Sequence, residues 1–143
     1  MSLNKEYVRT SNMRSIFENN FTDVDTTDDL LNVIQINLHK AKLASKGLEC
    51  FCNNGPYIFC VQEPYLFRDM LNYTPNSLFK YFKKNVDARA AILSHRDLPL
   101  WFADQFSTRD MAVAVLKCRG KLILIISLYC DHKNDEVVPN ELY

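Results

Sequence analysis

Apolar residues fall into short β-rich runs separated by polar punctuation, and the pattern changes character once along the chain. From Met1 to Asp29 the sequence is rich in Asn, Asp, Thr and Ser, with one short amphipathic patch around Met13, Ile16, Phe17 and Phe21. That composition predicts a loosely ordered leader over residues 1–29, and the domain proper is expected over residues 30–143. The run LLNVIQINL from Leu30 carries Val33, Ile34 and Ile36, the mark of a strand covered on both faces. HKAKLASKGLECFC then spaces Ala41, Ala44, Leu48 and Phe51 at three to four residues, a helix ending before Asn53-Asn54-Gly55-Pro56. YIFCVQEP from Tyr57 returns to a buried strand. Strand, helix and strand in so short a span predict a βαβ unit, with its two strands parallel.

Downstream the pattern becomes mostly β. FRDMLN from Phe67 suggests a helical turn, LFKYFKK from Leu78 is ambiguous, and ARAAILSH and LPLWFADQFS read as strands. DMAVAVLKC and KLILIISLYC flank Arg119-Gly120, two apolar runs around a two-residue turn, which is the pattern of a hairpin. The fold class that follows is mixed α/β.

Length and composition narrow the reading. With 143 residues the chain can bury one core, and 48% hydrophobic with 24% charged residues are globular values. Lys plus Arg and Asp plus Glu each number 17, so no global field draws the chain to nucleic acid or anionic lipid, and any phosphate binding has to be local. The five cysteines are odd in number and lie mostly in apolar segments, which suits buried thiols in a reduced compartment better than a disulfide framework. Cys50-x-Cys52 beside Glu49 lacks the second half-site of a structural zinc centre. The N-terminus has no apolar signal region, and LILIISLYC is far shorter than the roughly twenty residues a bilayer demands. A soluble protein of the cytoplasm or nucleus, with no membrane partner, is expected. Ser94-His95 lacks a glycine-flanked elbow, and no glycine-rich phosphate loop occurs, so serine hydrolysis and P-loop chemistry are disfavoured.

Geometry singles out three side chains. Parallel strands of a βαβ unit end on the same edge of the sheet, and open α/β sheets bind ligands outside those ends. Asn37 closes the first strand and Glu63 the second. Tyr129 closes the last, and it joins the same rim if that strand runs parallel to them. An amide, a carboxylate and a phenol suit metal-assisted phosphoryl chemistry: one carboxylate can anchor magnesium, and a phenol can donate to a phosphoryl oxygen as its charge grows. The plain alternatives are a solvated strand end for Glu63 and a half-buried aromatic for Tyr129.

QINLHKAKLAS, FCVQEPY, ARAAIL and ISLYCD, in that order, resemble the first half of an endonuclease/exonuclease/phosphatase (DNase I-like) domain. The resemblance is strongest to the apurinic-type endonuclease of non-LTR retrotransposons and covers Asn32 to about Asp131. It implies a β-sandwich flanked by helices, with Glu63 as ligand to Mg (or Mn), Asn37 as an active-site amide and Tyr129 as the phosphate-contacting tyrosine. It also implies nicking of DNA to leave a 3′ hydroxyl that primes reverse transcription, with the reverse transcriptase part of the same element as a further partner. The family's later Asp-x-Asn pair and terminal Asp and His have no place in this sequence. Asp131-His132 imitates the terminal pair but follows the Tyr129 strand too closely, and it reads as a surface loop. The expectation is an incomplete domain, weakly active or inactive by itself, whose uncovered sheet favours association with another chain or a second copy. A non-catalytic binding module, or a phosphatase acting on a non-nucleic ester, is the alternative.

Basic residues suggest where DNA would lie. His39, Lys40 and Arg89 are the candidate nucleic-acid contacts, with Lys42 and Lys46 on the predicted helix and Lys80, Lys83 and Lys84 among aromatics further on. For the helix lysines the competing reading is a solvated face. For Arg89 it is an ion pair with Asp87 or Asp110.

Overall fold

The βαβ expectation is met by two strands, β1 (Asn32–Asn37) and β2 (Tyr57–Gln62), which pair in parallel with Asn37 opposite Gln62. The computed structural model describes residues 31–52, 56–98 and 100–131, so the predicted leader over residues 1–29 and His132 lie outside the described residues. Between the strands run two short helices, α1 (Lys42–Gly47) and α2 (Glu49–Cys52). The helix starts three residues later than the apolar spacing suggests because His39 and Lys40 both take left-handed backbone angles, φ 48° and 55°, which end the strand in a tight corner.

β3 (Leu78–Tyr81) and β4 (Ala90–His95) complete the first sheet in the order β1-β2-β4-β3, with β4 antiparallel to both neighbours. The second sheet is antiparallel, β5 (Trp101–Phe102), β6 (Met111–Cys118) and β7 (Lys121–Leu128) in that order. Arg119 and Gly120 join β6 to β7 with φ of 50° and 71°, the paired left-handed angles of a two-residue hairpin.

β2 and β4 are buried on both faces, and strand alternation gives each two cores. Phe59, Val61, Ala91 and Leu93 face the helical side and pack with Leu38, Leu48, Leu71 and Phe82. Ile58, Cys60, Ala90 and Ile92 face the second sheet and meet Ala112, Ala114, Leu116 and Ile125. Full burial of one such Leu, Ile or Phe contributes about 1.5–3 kcal/mol, so these layers set the spacing of everything at their rim.

Four expectations need correction. β1 is covered on one face only: Ile34 and Ile36 pack inward, whereas Val33 is 52% exposed, because β1 is an edge strand and the second sheet does not reach over it. FRDMLN is no helical turn. Phe67 and Met70 exchange backbone hydrogen bonds of 3.0 and 3.1 Å around Arg68 and Asp69, both left-handed. LPLWFADQFS yields only the two-residue β5 and a 3-10 turn over Asp104–Phe106, since the Ser107 hydroxyl takes the Val113 N–H at 3.0 Å and donates to the Ala103 carbonyl at 2.9 Å. Of the cysteines, Cys60 is buried, and burial pushes its thiol pKa up, but Cys50 and Cys130 are exposed free thiols.

Candidate active site

The chain ends of β1, β2 and β7 and the chain starts of β4 and β6 meet at one rim. Ser127, fully buried on β7, donates to the Val61 carbonyl at 2.9 Å and accepts from Gln62 Nε2 at 3.3 Å, which ties the second sheet to the last turn of β2. β7 therefore runs in the sense that brings Tyr129 over the end of β2, as the rim argument requires.

Glu63 sits at φ 47°, a left-handed angle uncommon for a residue with a long side chain. Two backbone bonds hold it there: its N–H donates to the Arg89 carbonyl at 2.8 Å, and its carbonyl accepts from Lys40 N–H at 2.8 Å. The turn lifts the carboxylate out of the sheet, where it is 23% exposed and 3.5 Å from His39 Nδ1. Asn37 closes β1 alongside, its side-chain oxygen accepting the His39 N–H at 2.8 Å. The Glu63 carboxylate nearby, with partial desolvation, raises the pKa of the Tyr129 phenol above the ordinary 10.0. The amide, the acid and the phenol thus stand together on one side of the molecule.

Behind them lies an ion cluster that sequence reasoning saw only in part. Arg89 bonds Asp110 with two parallel contacts, Nε to Oδ1 at 2.6 Å and Nη2 to Oδ2 at 2.7 Å, and reaches Asp131 at 3.0 Å. Asp110 in turn holds its proton less tightly than an ordinary aspartate because the guanidinium bonds its ionised form. Arg89 also lies over the Tyr129 ring, 4.6 Å from its centre. The ion pair named as the competing reading for Arg89 is therefore present, with Asp110 as partner, whereas Asp87 pairs with Arg109. Asp131 belongs to this cluster and is not a free surface loop residue. The missed signal was alternation: Gln62 and Ser127 are polar side chains at inward positions of apolar strands, and such residues need a partner across the core.

His39 and Lys40 are exposed on the corner beside Glu63. Lys42 follows, its ammonium 5.3 Å and 5.0 Å from the rings of Tyr65 and Tyr73, and Lys46 lies 5.8 Å from Tyr73. Contact with the two hydroxyls raises the Lys42 pKa, so it stays a cation. The other predicted basic group disperses: Lys80 bonds the Leu71 carbonyl, Lys83 pairs with Asp104 at 2.9 Å, and Lys84 covers the Phe82 ring. Ser94 and His95 face opposite sides of β4, Ser94 buried and His95 paired with Asp97, so they form no dyad.

Asp110 and Asp131 are both bonded to the Arg89 guanidinium, which leaves Glu63 and the amide oxygen of Asn37 as the rim donors that could hold a cation. Among the described residues no three His, Cys, Asp or Glu side chains group as a cage. Such a donor set suits magnesium, which keeps most of its water, and not structural zinc.

Two packed sheets with helices on the outer face of the first, and this rim at their edge, make the chain a partial DNase I-like fold. The structure is similar to the endonuclease domain of TRAS1, a telomere-specific non-LTR retrotransposon, with a TM-score of 0.56 and 25% identity. The match covers 71% of this chain and 45% of that domain, so the chain spans less than half of its structural relative. No protein-family model matches the sequence, and no curated protein does. Among the described residues no helix is long and apolar enough to cross a membrane.

Proposed function

We propose that the chain carries the metal-binding side of an endonuclease-type phosphodiesterase site whose substrate is DNA. The observation that carries this reading is that Glu63 and Tyr129, from different sheets, are tethered by their backbone N–H groups to the bonded pair Arg89 and Asp110, with Asn37 one strand away. Glu63 and Asn37 are the residues that would hold magnesium or manganese, and the chemistry such an ion supplies when bound is polarisation of a phosphoryl oxygen. Tyr129 keeps its proton through the physiological range and serves as a hydrogen-bond donor to a phosphoryl oxygen as negative charge accumulates there. DNA is favoured over another phosphate ester by the likeness to a retrotransposon endonuclease domain and by the basic corner of His39, Lys40, Lys42 and Lys46 beside Glu63. A backbone-tracking role for these lysines predicts salt-sensitive binding.

A second reading, a DNA-binding module without catalysis, is favoured by the bonding of Asp110 and Asp131 to Arg89, which takes both carboxylates away from a cation or a water at the rim. Supercoiled plasmid incubated with the protein and magnesium separates the two. The expected result is nicking that drops at least about 100-fold in both Glu63→Gln and Asn37→Ala, the loss typical of removing one preorganised polar group. Nicking that survives Glu63→Gln refutes the site. A parent protein that binds the plasmid yet leaves it intact establishes the second reading.

A further inference from the structure

Two tyrosines and two lysines form a patch beside the rim that the phosphoryl chemistry leaves unused. Tyr65 lies two residues beyond Glu63, and Tyr73 returns to it after the turn at Phe67 and Met70, so that the two rings meet edge to face with centres 5.4 Å apart. The backbone that carries them is anchored: Pro64 and Leu71 are buried, and the buried Thr74 hydroxyl donates to the Leu71 carbonyl at 2.9 Å. Both rings are only half-buried. The Lys42 ammonium lies against both of them and the Lys46 ammonium against Tyr73.

Charge indicates the kind of partner. Elsewhere cations meet carboxylates: Lys83 meets Asp104, Arg89 meets Asp110 and Asp131, and Arg109 meets Asp87. Among the described residues Lys40, Lys42 and Lys46 pair with no carboxylate, and a tyrosine ring holds an ammonium without cancelling its charge. A chain of balanced composition thus gathers uncompensated positive charge at the corner that adjoins Glu63, the complement of a polyanion. Lysines alone would accept any phosphate backbone. The rings add a condition, because a base offers its face to an aromatic side chain only once it has left the duplex stack. An exposed ammonium–ring contact is weak, and a lysine on its flexible stem exchanges it for a phosphate, which frees the ring face that it covered.

The geometry points to Tyr65 and Tyr73, with Lys42 and Lys46, as a subsite for unpaired nucleotides of a DNA strand that passes Glu63, the lysines taking phosphates and the rings stacking bases. The inference rests on DNA being the partner of that site, and it makes the preferred substrate a strand already open beside the bond to be cut.

Fluorescence anisotropy of a labelled oligothymidylate of about 12 nucleotides, a length within the span that such grooves cover, tests this against the same strand annealed to oligoadenylate. Both titrations are run with EDTA, so that binding is read without cutting. The single strand is expected to bind about 10-fold more tightly than the duplex, and Tyr65→Leu to weaken single-strand binding about 10-fold, whereas Tyr65→Phe, which keeps the ring, matches the parent. Lys42→Met is expected to reduce the slope of log affinity against log salt by about 0.7. A duplex bound as tightly as the single strand, a Tyr65→Leu protein that binds like the parent, or an unchanged salt slope overturns the inference. If Tyr65→Leu does not fold, Tyr73→Leu and Tyr73→Phe read the second ring with the same expectations. The plasmid assay stands apart: a parent that prefers the single strand yet leaves plasmid intact refutes the catalytic reading alone, and one that nicks plasmid without that preference refutes the subsite alone.

Discussion

Glu63 spends conformational energy to stand where it does. A left-handed angle at a residue with a Cβ costs about 1–2 kcal/mol, and the two backbone bonds to Arg89 and Lys40 keep it there. Strain of this kind collects at functional sites, and here it lifts a carboxylate out of the sheet to stand 3.5 Å from His39 Nδ1. Asp110 gives the rim its own pH signature. Its pKa is depressed by the Arg89 guanidinium, so folding favours its ionised form. The stabilisation is therefore present above the ordinary value of 3.8 and is lost as pH falls through the depressed value beneath it. Because Asp110 is partly exposed and screened, the pair is worth about 1 kcal/mol. Urea denaturation midpoints of the parent and Asp110→Asn are expected to differ at pH 7 and to converge as the pH is taken below 3.8. A gap of equal size at both ends would mean that the carboxylate charge contributes nothing.

Elements carry that geometry through alternation and turn chemistry, and these were unevenly legible. Parallel pairing of β1 with β2 followed from strand, helix and strand in one short span, and the β6–β7 hairpin followed from two apolar runs around Arg119-Gly120. Asn37 and Glu63 could be placed on one rim for the same reason, since parallel strands end together. What stayed hidden were features decided by side chains far apart in sequence. Ser107 replaces a ladder bond and cuts β5 short, and Arg89 chooses Asp110 over the nearer Asp87. Local pattern also cannot tell an edge strand from a central one, so β1 looked covered on both faces until its neighbours were known. The link between sheets is a case in point: Ser127 satisfies both the Val61 carbonyl and the Gln62 amide. Ser127→Ala leaves those buried groups short of a partner and is expected to cost about 1–3 kcal/mol, read as a lower urea midpoint with unchanged slope. A cost below 0.5 kcal/mol, roughly the scatter of neutral surface changes, would show that the two sheets hold register without it.

At the scale of the whole molecule the two sheets are finished unequally. The first sheet has a helical layer on its outer side, while β7 ends the second sheet with no neighbour among the described residues. On the outer face of β7, Leu124, Ile126 and Leu128 are 51%, 47% and 52% exposed, a row of apolar side chains along an unpaired edge. Charge along this strand is confined to Lys121 at its start, so little opposes pairing with another strand. The related endonuclease domain is more than twice the length of the matched stretch, which accords with a sheet built to continue. The physical expectation for the chain as it stands is concentration-dependent association through β7, because antiparallel pairing of two copies would satisfy both edges at once. Sedimentation velocity over a range of concentrations checks this: the parent's weight-average coefficient should rise with concentration, and Ile126→Lys, which places a charge in the middle of the row, should flatten the rise. Equal profiles for the two proteins would remove β7 as the surface of association and leave its exposed row without a partner of its own kind.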